Sequence, residues 1–200
     1  MIASSDDLRF VHRYVKGSSP TTLLLLHGTG GDENDLLPLG RQVLPEAHLL
    51  SPRGKVLENG MPRFFKRLAM GVFDMEDLTQ QTHALADFVE QAADHYRLDR
   101  DEIVALGYSN GANIAASLLL LHPNLLRRAA LLHAMLPFDP GEFPDLGGTL
   151  VLLTGGRQDP YIAAEQTQAL ADLLGRAGAD VTLEWQPGGH QLTHQEIETL

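Results

Sequence analysis

Short continuous runs of apolar residues recur along the chain, separated by helix-like stretches and turn residues. Such runs are typical of strands that are buried on both faces of a parallel sheet. Segments in which apolar and polar residues alternate predict half-buried strands. The continuous runs predict strands at Thr21–Leu26, Ala47–Leu50, Ile103–Leu106, Arg128–Leu132 and Leu150–Leu153, and the alternating segments predict an edge strand within Leu8–Val15 and a last strand at Val181–Trp185.

Between these runs, apolar residues recur every three or four positions, which predicts amphipathic helices. The longest such pattern is Asp74–Tyr96, whose acidic start suits the positive end of a helix. Further helices are predicted at Asn34–Leu44 and Ala163–Arg176, with a short amphipathic tail at the end of the chain. Ala112–Leu121 is almost entirely apolar and predicts a buried helix, which Pro123 ends. This alternation predicts the α/β class, with a mostly parallel sheet and helices on both faces. No repeat or linker interrupts it, so we expect one domain over residues 1–200.

One segment, Ser51–Phe73, fits neither pattern and is predicted to be irregular. Loops of this length in a compact domain are usually functional. It contains the basic and aromatic cluster Arg63–Arg67, whose Arg63, Phe64 and Phe65 are candidates for binding substrate. The alternative is a surface loop whose two phenylalanines fill the edge of the core.

Composition and charge exclude several classes of protein. The chain has no cysteine, which excludes disulfides, a thiolate nucleophile and cysteine-bound zinc. Its formal net charge of −11 disfavours nucleic acid and anionic membranes as partners. No apolar run is long enough to predict a membrane span. Met1–Arg9 has neither the basic nor the apolar region of a secretory signal, so we expect a cytoplasmic protein.

The strongest chemical motif is Gly107-Tyr108-Ser109-Asn110-Gly111, a G-x-S-x-G sequence between a predicted strand and a predicted helix. In the nucleophile elbow of serine hydrolases, a sharp turn in this context exposes the serine Oγ. The free N–H groups at the start of the helix point to where negative charge develops. The alternative is a turn serine that only caps the helix.

A second glycine-rich segment, His27-Gly28-Thr29-Gly30-Gly31, follows the first predicted buried strand. It is not a dinucleotide-binding G-x-G-x-x-G, because Glu33 occupies the position of the last glycine. It is not a phosphate-binding P-loop either, because Gly-Lys-Ser/Thr is absent. The pattern matches the oxyanion loop of serine hydrolases. The backbone N–H groups of Thr29 and Asn110 are therefore the candidate oxyanion hole.

Ser109, Asp159 and His190 each follow a predicted strand, in the chain order of α/β-hydrolases. Ligands in open α/β sheets bind outside the carboxyl ends of the strands, so these side chains are expected to meet. Ser109 is the candidate nucleophile, His190 the general base and Asp159 the residue that orients the imidazole.

His194 is the other histidine of this region, four residues after His190. This spacing on a helix could suggest a metal pair, but the Glu of H-E-x-x-H is absent. We therefore expect no metal site, with His190 as the base and His194 on the surface of a closing helix.

Several segments together resemble the carboxylesterase/phospholipase family of α/β-hydrolases, relatives of the acyl-protein thioesterases, and especially bacterial carboxylesterases associated with hydroquinone and quinone stress. The resemblance rests on Leu26–Asp35, Arg53–Val56 with Met61–Phe65, Gly107–Asn113 and Gly189–Leu192. It implies a cytoplasmic, cofactor-free hydrolase with a triad of Ser109, Asp159 and His190, and it leaves a homodimer open.

At 200 residues, a chain that spends its elements on the sheet has no room for a cap domain. We therefore expect an open site walled by Arg53–Phe73 and by His133–Gly148, with Leu136 of the second wall as a further substrate-binding candidate. This predicts a serine esterase for small to medium acyl groups. The alternative enzyme is an acyl-protein thioesterase or a lysophospholipase, which would act on longer acyl chains. A protein of a different class, an α/β-hydrolase that binds a ligand without catalysis, also remains open.

Overall fold

The computed structural model describes residues 8–200, so most of the polar segment Met1–Arg9 lies outside the described residues. A seven-stranded sheet organises the fold, and two small hairpins lie beside it. In chain order the elements are β1 (His12–Val15), β2 (Thr22–Leu26), α1 (Leu37–Val43), β3 (His48–Pro52), β4 (Val56–Glu58), β5 (Met61–Arg63), β6 (Arg67–Ala69), β7 (Val72–Phe73), α2 (Met75–Tyr96), β8 (Ile103–Tyr108), α3 (Asn110–Leu121), β9 (Arg128–Leu132), β10 (Leu150–Gly156), α4 (Ala164–Arg176), β11 (Asp180–Gln186) and α5 (His194–Glu198).

The sheet has the strand order β1-β3-β2-β8-β9-β10-β11. Only β1 is antiparallel to its neighbour, and it lies at the edge, as the alternating pattern predicts. The other pairings are parallel, so the carboxyl ends of β2, β8, β9, β10 and β11 share one edge of the sheet. This edge carries the candidate site.

The four leucines of β2 show how the sheet divides the core. All are buried, and successive side chains point to opposite faces. Leu24 and Leu26 pack in the larger cluster with residues of α2, α3 and α4. Leu23 and Leu25 pack in the smaller cluster with α1 and α5 residues. The structure therefore has helices on both faces of a mostly parallel sheet, as the sequence predicts, and the described residues contain no cap domain.

Local residues explain the ends of the helices. The Asp74 side chain accepts a hydrogen bond from the backbone N–H of Asp77, which starts α2 where the acidic pattern predicts a helix. Arg97 adopts a left-handed conformation and ends α2. In α1, Pro38 is in the first turn, and the helix is shorter than the predicted Asn34–Leu44. Within residues 8–200, no helix has both the length and the apolar character needed to cross a membrane.

The segment 51–73 differs from its prediction as an irregular loop. It begins with the end of β3 and then forms two antiparallel hairpins, β4–β5 and β6–β7. Asn59 and Gly60 make the first turn, both with positive φ, as a tight hairpin turn requires. The strands have only two or three residues each, too few for a clear hydrophobic alternation. The hairpins bring one wall of the candidate site against the carboxyl edge of the sheet.

Candidate active site

Ser109 lies in a strained turn between β8 and α3. Its φ is 53°, in the left-handed region that non-glycine residues rarely adopt. A Cβ on Gly107 would lie 2.6 Å from the carbonyl oxygen of Gly111, and one on Gly111 would overlap the Leu26 carbonyl. Both glycines thus allow the close strand–helix approach that the motif predicts. The Ser109 side chain makes no capping hydrogen bond with α3, so the turn does not use its hydroxyl as a helix cap.

The structure brings Ser109, His190 and Asp159 into one hydrogen-bonded line. The Ser109 Oγ lies 2.8 Å from Nε2 of His190, and Nδ1 of the same ring lies 2.6 Å from Oδ2 of Asp159. The ring is 14% exposed and Asp159 is 2% exposed, so solvent reaches the serine end of the line more easily than the carboxylate end. This geometry suits proton transfer between serine and imidazole.

Asp159 is held on both of its oxygens. Oδ1 accepts the backbone N–H groups of Tyr161 at 2.8 Å and Ile162 at 3.1 Å, and Oδ2 faces His190. Burial opposes ionisation of Asp159, but the hydrogen bonds from His190 and from the backbone outweigh it and hold the pKa of the carboxyl below its ordinary value. Asp159 is therefore a carboxylate at neutral pH.

Tyr108, the residue before Ser109, fixes the loop that carries His190. Its hydroxyl donates to the backbone carbonyl of His190 at 2.8 Å. Burial first, and then the negative charge of Asp159, raise the pKa of Tyr108 to about 12. The hydroxyl therefore stays protonated and keeps donating this bond throughout the physiological pH range.

The candidate oxyanion residues, Thr29 and Asn110, both line the cleft beside Ser109. Asn110 is the first residue of α3, where backbone N–H groups have no partner within the helix. The loop that carries Thr29 is fixed by the Gly30 N–H, which donates to the Pro62 carbonyl at 2.9 Å. The Thr29 hydroxyl also accepts from the Arg63 guanidinium at 2.6 Å.

His27 braces the same loop from within the core. Its Nδ1 lies 2.6 Å from the Gly28 carbonyl, and its Nε2 lies 3.0 Å from the Gly54 N–H. An acceptor at one nitrogen and a donor at the other fix the neutral tautomer that is protonated on Nδ1. Burial lowers the pKa of His27, which favours this form.

The cleft in front of Ser109 has a volume of about 350 Å³. Apolar side chains of Met70, Phe73 and Met135 line it together with Arg63 and Arg67. Both guanidinium groups contact Glu58, at 3.2 Å from Arg63 and 2.6 Å from Arg67. Arg63 thus lies at the cleft, but it also connects the hairpin to the loop that carries Thr29.

Phe64, Phe65 and Leu136 do not line this cleft, contrary to the sequence-based expectation. Phe64 is 1% exposed and Phe65 is 0% exposed. Asn110 accepts the backbone N–H of Phe64 at 2.8 Å, which places the phenylalanine ring over His27 in the core. Leu136 packs against the large core cluster, and its neighbour Met135 reaches the cleft instead.

This placement predicts that Phe64→Ala and Phe65→Ala change stability rather than substrate preference. Truncation of a buried phenylalanine typically lowers the free energy of unfolding by about 3–5 kcal/mol. Met70→Ala is the control, because Met70 lines the cleft and is 57% exposed. We expect it to alter the preference for acyl-chain length with little change in melting temperature. Phenylalanine variants that melt normally but prefer other esters would contradict this assignment.

Two buried residues behind Asp159, His133 and Glu196, are not among the candidates that the sequence predicts. His133 follows β9 with a φ of 52°, and Glu196 lies on α5. Both side chains are 0% exposed. The signal in the sequence was weak: His133 follows a strand end, as Ser109 does, but a single histidine or glutamate does not reveal its partner.

His133, Asp159 and His190 are also the one group of potential metal ligands that residues 8–200 bring together, with ligand atoms within 4.8 Å of one another. Their hydrogen bonds account for this proximity. The His190 nitrogen that faces the group is 2.6 Å from Asp159, and its other nitrogen faces Ser109. His194, by contrast, is 80% exposed and contacts Glu198 at 3.4 Å.

Comparison with known proteins agrees with this architecture. The family model described as Phospholipase/Carboxylesterase matches residues 14–200. MhqD of Bacillus subtilis (strain 168), named as a hydrolase, is 52% identical over 187 residues, 94% of each chain. The Bacillus cereus carboxylesterase structure has a TM-score of 0.95 at 49% identity, covering 97% of this chain and 92% of that one. A carboxylesterase structure from Mesorhizobium loti has a TM-score of 0.91 at 36% identity, covering 96% and 93%.

Proposed function

The chain belongs to the phospholipase/carboxylesterase family of α/β-hydrolases and is a carboxylic ester hydrolase, and we propose that it cleaves small to medium esters with a Ser109–His190–Asp159 triad through an acyl-enzyme. The observation that carries the proposal is the continuous line from Ser109 Oγ through both His190 nitrogens to the Asp159 carboxylate. This line ends at the cleft, where a substrate carbonyl can reach the serine.

The first half of the reaction transfers the acyl group to the enzyme. Ser109 Oγ bonds to the carbonyl carbon of the ester while its proton moves to His190 Nε2. The tetrahedral intermediate then collapses, the bond between carbon and the leaving oxygen breaks, and His190 returns the proton to that oxygen. An alcohol leaves and an ester of Ser109 remains.

The second half releases the acid. A water molecule gives a proton to His190 and attacks the acyl carbon. The bond to Ser109 Oγ then breaks, and the serine takes the proton back. Atoms balance as ester plus water giving acid plus alcohol, so the cycle requires no cofactor.

Two further groups assist both steps. The N–H groups of Thr29 and Asn110 are proposed to bind the oxygen that becomes negative in the tetrahedral intermediate, and the start of α3 adds its positive dipole end. Asp159 accepts Nδ1–H of His190, which leaves Nε2 free to act as base toward Ser109.

The cleft supports the substrate class. Its volume of about 350 Å³ and its apolar lining at Met70, Phe73 and Met135 suit short acyl groups or a small aromatic ring. The described residues place no cap domain over the cleft, so we expect substrate to enter directly from solvent. A thioesterase or lysophospholipase for long chains is the alternative, and it would need chains to extend over the exposed hairpin side chains, such as Leu68 at 73% exposure.

The test combines active-site labelling with a substrate panel. A fluorophosphonate probe should label the purified chain at Ser109, and mass spectrometry of the peptide identifies the site. Nitrophenyl esters and acyl thioesters of increasing chain length should then show the highest kcat/KM for short to medium esters. A maximum at long-chain thioesters would favour the alternative enzyme, and absence of labelling and turnover would favour a non-catalytic binding protein.

A further inference from the structure

A buried histidine lies directly behind the triad carboxylate. His133 Nδ1 is 3.4 Å from Asp159 Oδ2, the same oxygen that accepts from His190. On the other side of the ring, Nε2 is 3.3 Å from Oε2 of Glu196. The hydrogen-bonded line from Ser109 therefore continues past Asp159 to a second imidazole and a second carboxylate.

Glu196 is oriented from several directions. The Thr154 hydroxyl donates to its Oε1, and the Thr193 N–H donates to its Oε2 at 3.3 Å. The Glu196 carboxylate is fully buried, and isolated buried charges are strongly unfavourable. In the described part of the chain, His133 is the one group able to carry positive charge that contacts it.

The surroundings of His133 favour the imidazolium form. A neutral imidazole has one donor and one acceptor nitrogen, so one lone pair would face a carboxylate oxygen. A doubly protonated ring donates to both carboxylates. Burial opposes the charge, but the hydrogen bonds and charges of Glu196 and Asp159 outweigh it and raise the pKa of His133. The same contacts hold the pKa of Glu196 below its ordinary value, although burial acts in the opposite direction.

We propose that His133 and Glu196 form a buried ion pair that positions the Asp159 carboxylate and places a positive charge beside it, which extends the triad into a five-residue line. Both are positioning residues, since neither reaches the cleft. This inference rests on the proposed function for its catalytic consequence, whereas the ion pair itself can be tested without any turnover.

The pair acts on the triad through geometry and charge. His133 holds the second lone pair of Asp159 Oδ2, while the Tyr161 and Ile162 N–H groups hold Oδ1, so the carboxylate cannot rotate away from His190. The His133 and His190 rings are 5.3 Å apart, so the charge of His133 acts on the serine–histidine end of the line at close range. The Glu196 carboxylate lies on the far side of His133 and compensates only partly.

Four titratable groups surround His133. They are Asp159 from the loop after β10, Glu196 from α5, His190 from the loop after β11, and Tyr108 from the end of β8, whose ring is 6.0 Å away. Tyr108 stays neutral and Asp159 stays ionised near neutral pH. Removal of the Glu196 charge should therefore make the His133 imidazolium less stable. The loss of that positive charge should show on the acid side of the pH–rate profile.

Three variants separate a positioning role from a structural one. Glu196→Gln removes the charge but keeps hydrogen-bonding capacity, and His133→Asn suits the positive φ because asparagine tolerates that region. The double variant removes the whole pair, which typically destabilises less than leaving one buried charge alone. Glu198→Gln is the matched control, since Glu198 lies on the same helix but is 66% exposed and pairs with the exposed His194.

We expect Glu196→Gln and the double variant to lower kcat about 10- to 100-fold on a nitrophenyl ester, the effect of a slightly misplaced catalytic group, with KM within about threefold. The acid limb of kcat/KM should move in pH, because the positive charge of the neighbouring His133 ring is lost. Glu198→Gln should match the wild type. Variants that fold and keep the wild-type kcat and acid limb would overturn the proposal and leave the pair a structural one.

A measurement on the wild-type protein tests the ion pair even if the variants fail to fold. Nitrogen-15 NMR of the histidine side chains should show both His133 nitrogens protonated, with a titration midpoint above the ordinary value of about 6.5. A midpoint at or below that value would overturn the ion pair. Fluorophosphonate labelling of the wild type runs alongside: an intact ion pair in a protein that is not labelled would refute the proposed function and not the pair.

Discussion

Ser109→Ala should lower kcat by about 10⁴- to 10⁶-fold, the range found when the nucleophile of a triad is removed. The Ser109 hydroxyl lies 2.8 Å from His190 Nε2, and among the described residues it is the one hydroxyl hydrogen-bonded to that nitrogen. The measurement is kcat on a short nitrophenyl ester, together with loss of fluorophosphonate labelling.

The same substitution should leave the fold intact. Serine and alanine both carry a Cβ, so the strain at a φ of 53° is equal in both proteins. The Ser109 hydroxyl caps no helix, so its loss costs only the one hydrogen bond to His190, about 1 kcal/mol. Ser117→Ala is the matched control, because Ser117 is buried in α3 and its hydroxyl bonds only to the Asn113 carbonyl. More than a tenth of wild-type turnover in Ser109→Ala would rule out the serine as nucleophile.

His190→Ala should reduce kcat by a similar factor, and His194→Ala should keep most of the activity. His190 is the one imidazole in contact with Ser109 among the described residues, whereas His194 is 80% exposed and pairs with Glu198 on the surface of α5. An exposed pair of this kind contributes little to stability, so His194→Ala should also melt like the wild type.

The same activity measurement is repeated in the presence of the metal chelator EDTA. The His190 nitrogens are engaged with Ser109 and Asp159, and the proposed cycle uses proton transfer alone, so EDTA should leave the rate unchanged. Inactive His194→Ala with active His190→Ala would transfer the role of base to the other histidine. Loss of activity on chelation would instead point to an ion at His133, Asp159 and His190.

The elements of the sheet illustrate what a sequence predicts well. Buried parallel strands such as β2 are continuous apolar runs, and their signal is local, so the strand was predicted within one residue of its observed start. The acidic start and the apolar stripe of α2 made that helix equally clear. The strand pattern also predicts that Ser109, Asp159 and His190 lie together, because residues after parallel strands meet at one edge of the sheet.

The hairpins were predicted less well. Their strands are too short for periodicity, and what fixes them is contact with distant residues, such as Asn110 accepting the Phe64 N–H and Arg63 donating to Thr29. Aromatic residues in a predicted loop suggest a substrate wall. In the folded chain the Asn110 contact fixes the Phe64 backbone, both phenyl rings are buried in the core, and Met70 and Phe73 line the cleft instead.

The sequence by itself determined the α/β architecture, the turn at Ser109, the glycine-rich loop at Thr29 and the order in which the triad candidates occur, because each depends on local pattern or on the common direction of parallel strands. Only the tertiary structure decided which side chains line the cleft, and that His133 and Glu196 stand behind Asp159. These two residues are 63 positions apart in the chain. The two side chains meet because α5 packs on the sheet. A buried carboxylate is stable only beside a group that compensates its charge, and no local pattern in the sequence encodes that group.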